Sequence, residues 1–284
     1  MLFSWVPMNI AEFSTVVFVG SAAAGFLGAL TGLGGGMVIV PLLTLGLGVD
    51  IRYAIGASLV AVIATSSGAA ASFLRQGYAN IRAGMLLEVA TASGALVGAG
   101  LTGILPASAI AMIFGLVLLA SALTATSSSA VENAEKGDKL CESLHLNNTY
   151  PSEGRSVDYG VRRLPAGFAL MAGAGALSGL LGIGSGAVKV LAMDRVMRFP
   201  FKVSTTTSNF MIGVTAAASG GVYLSRGYID PGLAMPVTLG VLGGAMAGSK
   251  FLMRAPVGLL RNVFRGVLLL LAVQMIWNGV KGAF

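Results

Sequence analysis

Apolar and polar positions along this chain fall into long blocks. Apolar blocks run over 12–32, 36–48, 53–74, 83–103 and 107–126; a polar stretch occupies 127–163; apolar blocks then return at 164–182, 186–198, 203–224, 232–253 and 257–280. Most are about 20 residues long, which as helix crosses the ~30 Å hydrocarbon core of a bilayer. The blocks 36–48 and 186–198 are the exceptions. At 1.5 Å of rise per residue, each reaches only about 20 Å.

The two sets of blocks superimpose at a constant offset of 150 residues. Gly32-Leu33-Gly34-Gly35-Gly36 returns as Gly182-Ile183-Gly184-Ser185-Gly186, and Val38 and Val40 return as Val188 and Val190. Ser58 returns as Ser208, Thr65 as Thr215, Gly77-Tyr78 as Gly227-Tyr228, Pro106 as Pro256 and Phe114 as Phe264. A bias toward alanine, glycine and leucine could align a few positions. It would not align a Gly-Tyr pair, a proline and a phenylalanine at one offset. The pattern is that of a duplicated membrane unit.

The short blocks pose a topological choice. Each of 12–48 and 164–198 is either one interrupted crossing or a hairpin that enters the membrane, turns at the glycines and returns. Basic residues arbitrate, because they collect on the cytoplasmic side. With single crossings, the 18 Lys and Arg split evenly between the two sides. With hairpins, only Arg52, Arg226 and Lys281 lie toward one side and the other 15 toward the opposite one. The hairpin reading therefore predicts an all-α polytopic membrane protein. It has two inverted repeats of five membrane elements, each a re-entrant short-helix hairpin plus three spanning helices. The predicted domains are 1–126 and 164–284 for the repeats and 127–163 for a cytoplasmic linker, disordered in part, with both termini outside.

Composition agrees: 55% of residues are hydrophobic and 10% charged, against about 25% charged in soluble domains. The net charge of +7 then reads as topology and lipid headgroup contact, not as nucleic-acid binding. The first 12 residues lack a basic n-region, so a cleaved signal peptide is not expected. The one cysteine, Cys141, and the one histidine, His145, both fall in the polar stretch. No metal site, internal disulfide, cofactor or buried histidine-based catalytic centre is expected, which argues against an intramembrane enzyme.

The candidate chemistry lies at the glycines. Helix breaks inside a bilayer leave backbone groups unpaired, and such backbone survives only when buried in protein or lining a polar cavity. The N-termini of the following helices would offer N–H donors and partial positive charge to an anion. This makes Gly34, Gly35, Gly36, Gly184, Ser185 and Gly186 candidate anion contacts, with close helix packing as the plain alternative. Ser58, Thr65, Thr206, Thr207, Ser208 and Asn209 could donate to oxyanion oxygens, or bond back to their own helices. Lys189 could balance a bound anion, or extend its ammonium to the cytoplasmic face. Glu88, six residues after Arg82, is a proton-carrier candidate; its closeness to Arg82 favours an interfacial position among the headgroups. Asp194 reads as part of a cytoplasmic charged cluster with Arg195 and Arg198. The Gly-Tyr turns read as interfacial anchors without chemistry.

The run Gly-Leu-Gly-Gly-Gly-Met-Val-Ile-Val-Pro at 32–41, Ala-Ile-Gly-Ala-Ser-Leu at 54–59, Gly-Ile-Gly-Ser-Gly at 182–186 and Ser-Thr-Thr-Thr-Ser-Asn at 204–209 together resemble the TauE/SafE family of sulfite and organosulfonate permeases. The resemblance spans nearly all the chain outside 127–163. It implies a secondary transporter, an exporter for preference, that carries sulfite or a related small sulfur anion across the bacterial inner membrane. An uptake permease for organosulfonates, a passive anion channel and a sensor using 127–163 as its output segment are the competing readings. Proton or sodium coupling and a homodimer are both compatible with the sequence. Two departures from symmetry stand out: Pro41 is matched by Leu191, and the hydroxyl run at 204–209 has only Ser58 opposite it.

Overall fold

The computed structural model describes residues 9–31, 36–75, 78–124, 137–152, 155–252 and 257–282. The elements are α1 (Ile10–Thr31), α2 (Gly36–Pro41), α3 (Ile51–Arg75), α4 (Ile81–Leu101), α5 (Ala107–Thr124), α6 (Lys139–Ser143), β1 (Asn148–Ser152), β2 (Arg155–Tyr159), α7 (Leu164–Leu181), α8 (Gly186–Leu191), α9 (Phe201–Ser225), α10 (Pro231–Leu252) and α11 (Val257–Lys281). The short helices α2 and α8 each continue into a π-helical turn, Leu42–Gly46 and Ala192–Val196. The sequence of elements α1 to α5 is thus repeated by α7 to α11, and the protein is an all-α membrane protein. Ile81–Leu101, Leu164–Leu181 and Pro231–Gly248 are each long and apolar enough to cross a bilayer.

Side-chain size is sorted by helix face. Helix α4 exposes Met85, Val89, Leu96 and Val97, while Ala90, Thr91, Ala95 and Gly98 are buried. Large apolar groups outward and small ones inward are what a lipid-facing helix needs, since close backbone approach then replaces hydrophobic burial. The approach is close at α4 and α7. A methyl group on Gly94 or Gly98 would overlap the carbonyls of Ala172 or Ala176, and one on Gly175 or Gly179 those of Thr91 or Ala95. These contacts pair rising residue numbers on both helices, so α4 and α7 run parallel. Helices α1 and α10 repeat this, with Gly240 against Phe18 and Gly244 against Ala22.

These pairings cross between the halves of the sequence. Helix α4 leaves the first half to pack on α7 and α9, and α10 leaves the second to pack on α1 and α3. The repeat-related helices α3 and α9 meet each other and run antiparallel. The Tyr53 ring packs edge-on against Tyr228, with centroids 5.7 Å apart, while Gly213, midway along α9, lies beside Ser66. Helices α5 and α11 are also antiparallel, Gly279 lying against Ser108 and Gly115 against Ile276.

One face of the bundle gathers three cations. Arg52 donates to the carbonyls of Thr102 (3.2 Å) and Leu105 (3.0 Å). Arg226 donates to Ala99 (2.9 Å) and Gly100 (3.0 Å), and α11 ends there with Lys281. The opposite face carries the segment 137–163. Expected as a linker disordered in part, it forms α6 and an antiparallel hairpin from Asn148↔Tyr159 to Ser152↔Arg155. Its buried Cys141, Leu146, Tyr159 and Val161 share an apolar cluster with Ala83 and Leu87 of α4 and with Met193, Met197 and Phe199. Burial pushes the Cys141 thiol and the Tyr159 phenol above their ordinary ionisation ranges.

Asn80, 2% exposed, locks this face. Its carboxamide oxygen caps α4 by accepting from the Ala83 N–H (3.0 Å). Its carboxamide nitrogen donates to the Leu146 carbonyl and the Tyr159 hydroxyl, both 2.8 Å. Its backbone N–H donates to the Thr207 hydroxyl (3.0 Å).

Candidate functional site

Helices α3 and α9 cross beside the 182–186 turn and the Gly36 start of α2. Residues 32–35, and with them Gly34 and Gly35, lie outside the described residues; Gly36 is described and buried. In the second half the whole turn is described. Gly182 and Gly184 take positive φ (67° and 70°), conformations in which a side chain would be strained. Ser185 also has positive φ (44°) and stands at the N-cap of α8. The turns meet: Ser58 of α3 donates to the Gly182 carbonyl (2.9 Å), and a methyl group on Gly36 would lie 3.1 Å from that same oxygen. Ser208 of α9 donates to the carbonyl at the other end of the same turn, that of Gly186 (3.2 Å). Ser58 and Ser208 thus hold the two ends of the 182–186 turn.

The packing leaves little slack. A methyl group on Gly184 would come within 2.9 Å of Ile212, and one on Gly186 within 2.8 Å of the same side chain. Two hydroxyls at this turn, Ser178 and Ser185, are buried without a hydrogen-bond partner. Such groups typically cost about 1–3 kcal/mol.

The other hydroxyl candidates divide. Thr65 donates to Ala61 (2.9 Å) and Thr206 to Lys202 (2.9 Å), each one helical turn back. Thr207 accepts from Asn80 as described, and Asn209 is half-buried on α9. The run that looked uniform in sequence therefore carries several separate tasks.

The ionisable candidates come together more tightly than their spacing suggested. Lys189, one turn into α8, is fully buried and does not reach the surface. Its ammonium donates to the Thr215 hydroxyl of α9 (2.5 Å), and Thr215 donates to Oε1 of Glu88 on α4 (2.7 Å). Glu88 is 7% exposed, which corrects the interfacial position expected from its closeness to Arg82. Helix α4 begins at Ile81 beneath the 137–163 segment, so two turns further on Glu88 is already inside the bundle. Its second oxygen, Oε2, is buried without a partner. Asp194 pairs with Arg195 as expected, 3.7 Å from its Nε, but is itself 2% exposed, with one oxygen unpartnered. It lies in the π-helical turn, where Ala192 and Met193 are buried beside it.

Sequence reasoning named Glu88, Lys189 and Thr215 separately and missed the bridge between them. It also missed Asn80, although an asparagine directly before an apolar helix is an N-cap signal. Among the described residues no group of histidine, cysteine, aspartate and glutamate could hold a metal ion.

Comparison with known proteins gives a consistent picture. The family profile described as "Sulfite exporter TauE/SafE" matches residues 17–275. The chain is 26% identical over 265 residues to the probable membrane transporter protein YunE of Bacillus subtilis (strain 168), covering 90% of this chain and 95% of that one. It is 29% identical over 238 residues to the probable membrane transporter protein YdhB of the same organism, covering 83% and 87% respectively. A probable membrane transporter protein, ORF9, from Sinorhizobium sp is 24% identical over 262 residues. No solved structure matches.

Proposed function

Because the chain belongs to the TauE/SafE family, we propose that it is a secondary transporter that carries sulfite or a related small sulfur-containing anion out across the bacterial cytoplasmic membrane by alternating access. The observation that carries this reading is Lys189. It is a fully buried cation beside a glycine turn at the crossing of α3 and α9, paired to a carboxylate through one hydroxyl. A charge in that position is expensive and marks a solute path in membrane proteins. The unpartnered hydroxyls of Ser178 and Ser185 support an oxyanion at the same turn.

In this reading the anion contacts the turn amides around Gly34–Gly36 and Gly184–Gly186, the Ser185 hydroxyl and the Lys189 ammonium. An anion reaches the second turn only when Ile212 and Val62 withdraw from Gly184. Site opening is therefore tied to motion at the α3–α9 crossing, where Ser58, Ser208 and their neighbours on α9 sit. The antiparallel course of α3 against α9, and of α5 against α11, supports inverted repeats. The grouping of Arg52 and Arg226 with the Lys281 end of α11 supports placing 137–163 in the cytoplasm.

Two experiments test this. Purified protein in liposomes is expected to show saturable sulfite flux that is accelerated by sulfite on the far side. Unsaturable flux without exchange would instead make it a channel. In a Cys141→Ser background, Lys139→Cys and Lys281→Cys should react with an impermeant maleimide from opposite sides of the membrane. Labelling from the same side overturns the inverted arrangement.

A further inference from the structure

The Glu88–Thr215–Lys189 bridge has a property that an anion site alone does not require: a carboxylate is linked to the cation through one shared hydroxyl. Thr215 has one hydroxyl proton and two acceptors within reach, Glu88 Oε1 at 2.7 Å and the Met211 carbonyl at 3.0 Å. It can donate to only one of them at a time while accepting from Lys189. The bridge therefore has two discrete arrangements. With Glu88 ionised, the hydroxyl turns to the carboxylate. With Glu88 neutral, it can return to Met211, the ordinary back-bond of a helical threonine.

The charge balance is equally restrictive. Lys189 and an ionised Glu88 sum to zero inside the bundle. A monoanion added to that pair leaves one uncompensated negative charge in a low-dielectric interior, which is strongly unfavourable. A proton on Glu88 restores neutrality, and the unpartnered Oε2 is a free place to receive it. No other charged group among the described residues faces the pair. Helix α7, packed on α4, carries no ionisable residue from Leu164 to Leu181; those of α9, Lys202 and Tyr223, lie toward its ends; and Asp194, in the π-helical turn after α8, is turned to Arg195.

On the reading above, and resting on it, we propose that Glu88 is a tethered competitor of the transported anion for Lys189. Each anion that takes the ammonium is then accompanied by one proton bound to Glu88, and the two move in the same direction. Thr215 is the positioning residue that couples them. The proton enters from the aqueous phase onto the carboxylate and leaves from it on the other side, so a monoanion crosses without net charge and a dianion carries one. The 150-residue counterparts are Thr238, Thr65 and Ile39, none of them charged, so the structure provides one such station and one proton per cycle.

The test is titration calorimetry of the purified protein against methanesulfonate and sulfite from pH 5 to 7, in buffers of differing ionisation enthalpy. Methanesulfonate keeps its charge across that range. For the wild type, its binding is expected to weaken about tenfold per pH unit above the titration of Glu88, with uptake approaching one proton per anion. Glu88→Gln, of the same shape, should bind with no proton uptake and a flat pH profile. Wild-type binding without proton uptake overturns the coupling and leaves the transport assignment standing, and so does an unaltered pH profile in Glu88→Gln. If neither anion binds wild type or variant at any pH, the transport assignment falls and the coupling with it.

Discussion

Glu88, Thr215 and Lys189 form a continuous polar bridge from α4 through α9 to α8. At the positions 150 residues away stand Thr238, Thr65 and Ile39. There Ile39 is fully buried among apolar neighbours, Thr65 bonds back to its own helix, and the Thr238 hydroxyl is buried without a partner. The frame is present twice and the charge once. A paired charge inside a membrane protein is at best neutral for stability, so folding does not explain why one copy keeps it. The uncharged copy shows that the architecture holds without an ion pair. What the charged copy adds, on the proposed reading, is a place for the transported anion.

The sharpest way to break this contrast is to remove the cation. Lys189→Met should lower sulfite affinity at least a hundredfold, about 2.7 kcal/mol, with Ile39→Met within about twofold of wild type. Calorimetry of both variants decides; equal losses would make the two stations equivalent. Next come the turns. Gly184→Leu places a side chain at positive φ against Ile212. It should reduce binding by more than about tenfold while the protein still inserts; Gly34→Leu should match it if both turns line the site. Thr215→Val is expected to cost about tenfold in affinity, roughly 1.4 kcal/mol, and Thr65→Val less than about twofold, because only the former breaks a contact between elements. The smallest effect concerns Thr238→Val, which removes a buried hydroxyl that has no partner. A melting temperature raised by a few degrees, from roughly 1 kcal/mol of relieved desolvation, would confirm that this hydroxyl is idle. A loss of flux in that variant would give the uncharged copy a task.

The long helices were legible because each is a long apolar block, and their observed ends fall close to the block boundaries. The glycine turn at 182–186 was legible because the offset repeats its sequence. The structure of 137–163 was not. Its strands, Asn148–Ser152 and Arg155–Tyr159, are mostly polar, and only Val157 and Tyr159 hint at alternation. The position of Glu88 was misread because distance from Arg82 along the chain does not reveal that α4 starts beneath another layer. The bridge through Thr215 was hidden for a related reason: its three members come from α4, α8 and α9, and periodicity within one helix carries no information about neighbours. What the sequence did carry was the asymmetry itself, visible as Lys189 opposite Ile39.

Helices α4 and α10 are each donated across the sequence midline, and this bears on how such a molecule could be assembled or divided. Cutting the chain within 125–136 should yield two fragments that fold only together. The α4 of one would expose Gly94 and Gly98 until it met the α7 of the other, and α10 would wait likewise for α1. One half expressed alone should meet the same need by trading arms with a second copy of itself.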